Sequence, residues 1–182
     1  PTLPVSFEVL DASMDGMERE ARVIHSWGRN VYVKIPVIDP AGNSMEPLIR
    51  RLSEEGVPVN VTCVFTTEQA EIAARALHPD TPSIVSVFAG RVADVGIDPS
   101  PLVRECREIV RPLPKSELLW ASTREVFNIW QAAEAGCRII TVPPAMAAKL
   151  RHVGKTPLEL SIDAVNAFMR DTAGANVAFS AR

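Results

Sequence analysis

The sequence predicts a parallel α/β fold, because short apolar segments rich in β-branched residues alternate with longer amphipathic segments. The short segments are mostly apolar on both sides, which is typical of strands buried on both faces of a parallel sheet. The predicted strands cover residues 5–10, 31–37, 59–64, 83–87, 118–121 and 138–142. The predicted helices cover residues 14–27, 44–55, 67–77, 101–110, 124–135 and 157–170.

Local signals mark several helix ends. The hydroxyl of Thr66 can cap the helix that follows it, and Gln69, three residues later, completes a capping box. Gly56 and Gly136 follow helical segments and fit the left-handed position that ends a helix. These glycines are therefore interpreted as helix stops.

Periodicity alone does not distinguish a closed barrel from an open doubly wound sheet. No GxGxxG follows the first strand and no GxxxxGK[ST] occurs in the chain, which disfavours the usual nucleotide-binding open sheets. We expect a single domain over residues 1–182. Its tail, residues 171–182, contains apolar Val177 and Phe179 and is expected either to be disordered or to dock on a neighbouring subunit.

Composition and charge argue against several classes of protein. The chain is 47% hydrophobic and 23% charged, with a net charge of −3 and no block of Lys and Arg, so we expect no nucleic-acid or membrane partner. Its apolar segments are too short to span a bilayer. The three cysteines form no CxxC and the three histidines have no ligand spacing, so we expect no metal site and a cytoplasmic location.

Lys34 is the unusual residue, because it lies in the middle of the apolar segment 31–37. An unpaired buried ammonium group is costly, so a lysine at the centre of a strand needs a reason. One interpretation is an edge position or a side chain that reaches the surface. The other is an amine desolvated into its neutral, nucleophilic form, which Schiff-base chemistry requires.

Three polar residues on the neighbouring predicted strands have two interpretations each. Taken alone, Glu8 faces solvent or pairs with a neighbour; beside Lys34 it becomes a general acid or base. Asn60 and Thr62 share a strand face by the period-two rule, and both can hydrogen-bond a polyhydroxylated ligand. The alternative is simple β-propensity for Thr62 and a strand-end turn for Asn60.

Several motifs together resemble the successive active-site strands of the transaldolase family. They occur in the order and at the spacing of that family, and the resemblance covers essentially the whole chain. The motifs are Glu8, Val33-Lys34-Ile35-Pro36, Asn60-Val61-Thr62, Ser86-Val87-Phe88-Ala89-Gly90-Arg91, Ala121-Ser122-Thr123-Arg124 and the segment 135–143. The resemblance implies a class I aldolase-type (β/α)8 TIM barrel.

The resemblance also implies a role for each matching residue. Lys34 would form the Schiff base with a ketose phosphate donor, and Glu8 and Thr62 would hold and polarise the water that moves protons. Asn60 and Ser86 would contact the hydroxyl groups of the substrate. The implied reaction transfers a dihydroxyacetone unit to an aldose acceptor and uses no cofactor.

The terminal phosphate of the substrate would be bound by Arg91, Ser122 and Arg124. Guanidinium groups at the ends of neighbouring strands independently favour this interpretation, because they offer forked and permanently charged donors. For either arginine alone, the alternative is an ion pair with a surface carboxylate such as Asp94 or Glu125.

Other positions refine the resemblance. Phe88 would shape the wall beside the imine, and Glu8 with Phe88 favours a transaldolase over a fructose-6-phosphate aldolase, where Gln and Tyr tend to stand. Val87 replaces the usual proline, and Thr123 stands where an aromatic or aliphatic residue is common. Both departures lie beside the phosphate end, so the substrate tail is either a phosphate or another anion.

The first two βα units of the eight-unit family barrel, which carry an aspartate acid/base, have no counterpart in this sequence, and we expect them in the native protein. Asp11 does not replace that aspartate, because it follows Glu8 at the end of the next strand. The family also implies a homo-oligomer, such as a decamer of two pentameric rings. The alternative functions are aldol cleavage without an acceptor and a non-catalytic sugar-phosphate-binding or scaffold barrel.

Overall fold

The computed structural model describes residues 3–175 and contains one curled sheet of six parallel strands. The order of the strands in the sheet is their order in the sequence, so each helical connection crosses to the next strand. The strands are β1 (Val5–Glu8), β2 (Val31–Pro36), β3 (Val59–Val64), β4 (Ser83–Val87), β5 (Ser116–Trp120) and β6 (Ile139–Ile140). The predicted parallel α/β fold is therefore confirmed.

Helices connect the successive strands, and further helices follow the last strand. They are α1 (Met14–His25), α2 (Glu46–Glu54), α3 (Thr67–Ala76), α4 (Ala89–Asp94), α5 (Ser100–Val110), α6 (Asn128–Glu134), α7 (Pro144–Ala147) and α8 (Pro157–Ala175), with a 3-10 helix at Ala148–His152. The sequence did not predict α4, α7 or the 3-10 helix, which are too short to show a periodic apolar face. Residues 171–175, predicted as tail, belong to α8, and Val177 and Phe179 lie outside the described residues.

The side chains of the central strands separate into two layers. In β2, Val31, Val33 and Ile35 are buried against the helices, while Tyr32 and Lys34 are half-buried on the inner face. Burial of each of these aliphatic side chains contributes about 1.5–3 kcal/mol to folding. The prediction that the strands are buried on both faces is wrong for this strand, because its inner face borders a cavity.

The predicted cap at Thr66 and the two predicted glycine helix ends are confirmed, whereas the predicted capping box does not close on Thr66. The Gln69 amide N–H donates to the Thr66 hydroxyl at 3.2 Å, and the Gln69 side chain accepts from the Phe65 N–H at 2.7 Å, one residue before the cap. Gly56 and Gly136 have φ angles of 82° and 81°, the left-handed values that favour glycine.

The outer elements expose much apolar surface. β1 and β6 are the edge strands and are not paired with each other in residues 3–175, and Phe7 on β1 packs edge-to-face on Trp27 at 5.1 Å. Large apolar side chains of α8, including Leu158 and Phe168, are exposed. A largely apolar groove of about 840 Å³ lies between α6 and the start of α8. Among the described helices, none is long and apolar enough to cross a membrane.

Candidate active site

A cavity of about 550 Å³ lies on the inner face of the sheet, toward the carboxyl ends of the strands. In parallel βα folds this edge is the usual place for binding and catalysis, because the loops after the strands converge there. Its lining residues are Ser6, Glu8, Lys34, Asn60, Cys63, Ser86, Phe88, Arg91, Leu119, Ala121, Ser122 and Thr141. Seven of the nine predicted site residues are therefore brought together; Thr62 and Arg124 are not in the lining.

We call Ser6, Glu8, Lys34, Asn60 and Ser86 the lysine end of the cavity. Glu8 is the register partner of Lys34 across the β1–β2 ladder, and Lys34 is the partner of Asn60 across β2–β3. The Lys34 Nζ lies 3.6 Å from Glu8 Oε2, which is an ion-pair distance rather than a hydrogen bond. The lysine is 29% exposed and the glutamate 48%, so the pair is only partly shielded from solvent.

A chain of hydrogen bonds fixes the polar groups beneath this pair. The Ser86 hydroxyl donates to Asn60 Oδ1 at 2.7 Å, and Asn60 Nδ2 donates to the Ser6 hydroxyl at 3.1 Å. Asn60 and Ser86 are buried, so the bonds hold them in one orientation. Sequence reasoning missed Ser6, although the period-two rule places it on the same face of β1 as Glu8.

A bulge in β3 changes which residues meet the cavity. The β3–β4 register shifts between Val61 and Val64, and Cys63 adopts a φ of 60°, which is unusual for a residue other than glycine. Cys63 consequently lines the cavity, whereas Thr62 is fully buried and its hydroxyl has no hydrogen-bond partner within residues 3–175. Burial raises the pKa of the Cys63 thiol, and the adjacent Thr62 side chain is the largest influence that lowers it.

We call Phe88, Arg91, Ser122 and Arg124 the arginine end. The guanidinium of Arg91 lies 5.2 Å from the centre of the Phe88 ring, a cation–π distance, and Arg91 lines the cavity. In the described part of the chain no carboxylate pairs with Arg91. An unpaired guanidinium on a cavity wall is suited to an anionic ligand.

Arg124 is placed differently from Arg91. Its Nε and Nη2 donate to the two carboxylate oxygens of Asp94 at 3.1 and 2.6 Å. An ion pair with Asp94 was the alternative interpretation of this arginine from the sequence. The Arg124 backbone N–H also donates to Asn128 Oδ1 at 2.9 Å. Its predicted role with a phosphate stays a prediction.

Close packing holds the loop after β5 in a strained form. Ser122 has a φ of 60°, in the left-handed region. A Cβ added at Gly90 would lie 1.6 Å from the Ser122 carbonyl oxygen, so only glycine allows α4 to approach this loop. The Gly90 N–H donates to the Ala121 carbonyl at 3.2 Å.

Among residues 3–175, no group of three His, Cys, Asp or Glu side chains is arranged to hold a metal ion.

Several curated proteins resemble this chain. A probable transaldolase of Nitrosopumilus maritimus is 36% identical over 148 residues, which are 80% of this chain and 63% of that protein. Probable transaldolase 2 of Listeria monocytogenes is 35% identical over 81% of this chain and 64% of its own length. A probable transaldolase of Streptococcus pyogenes is 33% identical over 93% and 74%. This chain thus spans a little less than two thirds of the length of the first two of these relatives.

A solved structure and a family model complete the comparison. GMP reductase from Trypanosoma brucei, in complex with guanosine 5'-triphosphate, superposes with a TM-score of 0.54 at 17% identity. The match covers 78% of this chain and 34% of that enzyme, and it indicates a shared fold only. The model of the transaldolase/fructose-6-phosphate aldolase family matches residues 2–181. The chain therefore belongs to the transaldolase/fructose-6-phosphate aldolase family, as its motifs predicted.

Proposed function

We propose that the protein is a transaldolase, which transfers a dihydroxyacetone unit between sugar phosphates through a Schiff base on Lys34. The observation that carries the proposal is the position of the Lys34 amine, 3.6 Å from the Glu8 carboxylate in a cavity whose far wall holds the unpaired Arg91. An amine, an acid/base group and a permanently charged cation are the three groups that Schiff-base chemistry on an anionic sugar needs.

The reaction begins when the deprotonated Nζ of Lys34 attacks the ketose carbonyl carbon and forms a carbinolamine. Loss of the carbinolamine hydroxyl as water gives an iminium ion, which accepts the electron pair released by carbon–carbon cleavage. A general base takes the proton of the hydroxyl group on the departing carbon, so the aldose fragment leaves with a new aldehyde group and the three-carbon enamine stays on Lys34. The enamine then attacks the aldehyde carbon of an acceptor, and water hydrolyses the new imine to free the product and the amine.

Glu8 and Thr62 serve the proton transfers in this proposal. Within residues 3–175, Glu8 is the one carboxylate within 4.0 Å of the Lys34 amine, so it can take a proton from the amine and return it to the departing hydroxyl. The family resemblance assigns to Thr62 the water that relays the proton; its hydroxyl is buried behind the cavity lining, so this role requires the β3 bulge to rearrange. Asn60 and Ser86 contact the sugar hydroxyls through their remaining hydrogen-bonding capacity.

The arginine end binds the terminal phosphate in the same proposal. Arg91, Ser122 and Phe88 line the cavity; Arg124 adds a second guanidinium, and Phe88 shapes the wall beside the imine. Each charge-assisted hydrogen bond to the phosphate contributes about 1.5–3 kcal/mol. Binding energy from this remote group keeps the carbonyl carbon close to Lys34.

The proposal extends to the whole enzyme. The curled six-stranded sheet supports a class I aldolase-type (β/α)8 barrel. The exposed apolar face of α8, with Leu158 and Met169, supports a homo-oligomer in which this helix contacts a neighbouring subunit, as in a decamer of two pentameric rings. We further propose a cytoplasmic enzyme that needs no cofactor.

Turnover with and without an aldose acceptor tests the function. With fructose 6-phosphate as donor, glyceraldehyde 3-phosphate should appear rapidly only when erythrose 4-phosphate is present. Equal rates without the acceptor would indicate an aldolase. Binding of fructose 6-phosphate without turnover under either condition would indicate a binding or scaffold protein.

A further inference from the structure

Asp94 holds the guanidinium of Arg124 by one edge. The Nε and Nη2 groups donate to separate oxygens of the carboxylate, at 3.1 and 2.6 Å, in a parallel two-bond arrangement. A guanidinium presents five N–H groups in one plane, so this pairing leaves the opposite edge free. Within residues 3–175, the Nη1 amino group of Arg124 has no hydrogen-bond partner.

The short helix α4 carries both Asp94 and the cavity-lining Arg91. Arg91 is its third residue and Asp94 its last, so the helix joins the cavity wall to the ion pair with Arg124. The helix is fixed on the loop after β5 by the Gly90 N–H, which donates to the Ala121 carbonyl at 3.2 Å. The position of the Asp94 carboxylate is therefore coupled to the loop that bears Arg124.

We infer that Asp94 is a positioning residue of the arginine end, which fixes the plane of the Arg124 guanidinium so that its free edge binds the phosphate of the substrate. The inference rests on the proposed function, because that function assigns the phosphate to Arg124. Both side chains are half-exposed, so without Asp94 the long arginine side chain would sample many rotamers. Binding of the phosphate would then have to restrict the Arg124 side chain to one conformation, which would weaken the binding.

Binding of inorganic phosphate tests the inference without any turnover. Asp94→Asn keeps the size of the side chain but removes its charge and one of its two acceptors, and we expect the Kd for phosphate to rise about fivefold. The KM for fructose 6-phosphate should rise by a similar factor with little change in kcat. An unchanged or lower Kd would overturn the inference, since Asp94 would then be neutral or would compete with the phosphate.

A double-mutant cycle separates positioning from a general structural effect. In an Arg124→Gln background the Asp94→Asn substitution should have no further effect on the Kd, because the group that it positions is absent. An additive effect in the double variant would overturn the inference. Glu108→Gln is the matched control and should leave the Kd unchanged, because Glu108 pairs outside the cavity with Arg107 of α5 and with Arg111 directly after it.

The neutral ketose dihydroxyacetone distinguishes failure of the inference from failure of the proposed function. Borohydride trapping of this compound on Lys34 requires no phosphate contact and should be the same in the wild type and in Asp94→Asn. A wild type that binds phosphate with the same Kd as the variant overturns only the inference. A wild type that binds no phosphate overturns the inference together with the phosphate role of the arginine end, and trapping reports separately on Lys34.

Discussion

At the lysine end of the cavity, Glu8, Lys34 and Asn60 are consecutive register partners across three strands, whereas at the arginine end Arg91 and Arg124 lie on a short helix and a loop. The first group is held by the backbone ladder of the sheet. The second is held by tertiary contacts, namely the approach of Gly90 to the loop after β5 and the ion pair of Arg124. In the proposed function, the group that reacts is thus built into the sheet, and the groups that bind the anion are attached beyond the carboxyl ends of the strands.

This difference predicts different consequences of mutation. Loss of a side chain at the lysine end removes a reacting group from a rigid frame and should affect the chemical step. Loss of a contact at the arginine end should weaken binding of the phosphate and change KM more than kcat.

Lys34→Met should have the largest effect. Removal of the nucleophile should lower kcat by at least about a thousandfold, while binding of inorganic phosphate at the arginine end stays unchanged. Lys149→Met, at an exposed lysine of the 3-10 helix, is the control and should retain full activity. Substantial transferase activity in Lys34→Met would contradict the assignment of the lysine end.

Arg91→Gln should have the next largest effect. The variant loses a charged donor that lines the cavity, so the KM for fructose 6-phosphate should rise by about 10- to 100-fold, as expected for one charge-assisted hydrogen bond. Trapping of neutral dihydroxyacetone on Lys34 should be unaffected. Arg75→Gln removes an arginine that pairs with Glu46 outside the cavity and should leave KM unchanged. Equal KM changes in both variants would refute a specific role for Arg91.

Gly90→Ala tests the tertiary contact that holds the arginine end. The added Cβ would meet the Ser122 carbonyl oxygen, so the loop must shift, and the free energy of unfolding should fall by about 1–3 kcal/mol. In the same variant, the KM for a phosphate-bearing substrate should rise a few-fold. In Gly28→Ala the added Cβ would approach Asn30 no closer than 3.3 Å. Thermal unfolding should therefore show a smaller loss of stability for Gly28→Ala than for Gly90→Ala. If the two variants were equally stable, the close contact would not constrain the loop.

Protection of a cysteine from alkylation by bound substrate should be the smallest of the predicted effects. Burial raises the pKa of Cys63, and it raises those of Cys106 and Cys137 to about 12. Iodoacetamide should therefore modify Cys63 first, more slowly than free cysteine at pH 7 and faster as rising pH increases the thiolate fraction. Because Cys63 lines the cavity, bound fructose 6-phosphate should slow the alkylation of Cys63. We expect this slowing to be less than about tenfold. Peptide mass spectrometry measures the order; initial labelling of Cys137 would contradict it.

The sequence predicted the lysine end well, because strand alternation and strand order are local and periodic properties. Lys34, Asn60 and Ser86 lie on the inner face of the sheet and line the cavity as expected. The period-two rule failed at the β3 bulge, where Cys63 takes the place in the lining that alternation assigned to Thr62. Nothing local in the segment 61–64 marks the extra residue, since the bulge depends on pairing with β4.

The arginine end was less predictable from the sequence. The helix α4 has only six residues and shows no apolar period, although it carries Arg91 and Asp94. The pairing of Arg124 with Asp94 joins residues that are 30 positions apart, and the sequence offered it only as one alternative. Such contacts depend on how α4 packs against the loop after β5.

The formation of a covalent imine on Lys34 is the central claim. Reduction with sodium borohydride in the presence of fructose 6-phosphate, followed by peptide mass spectrometry, tests it directly. We expect a reduced three-carbon adduct on the peptide that contains Lys34, and none in Lys34→Met. The absence of an adduct in an enzyme that turns over this substrate, or an adduct on another lysine, would contradict the account.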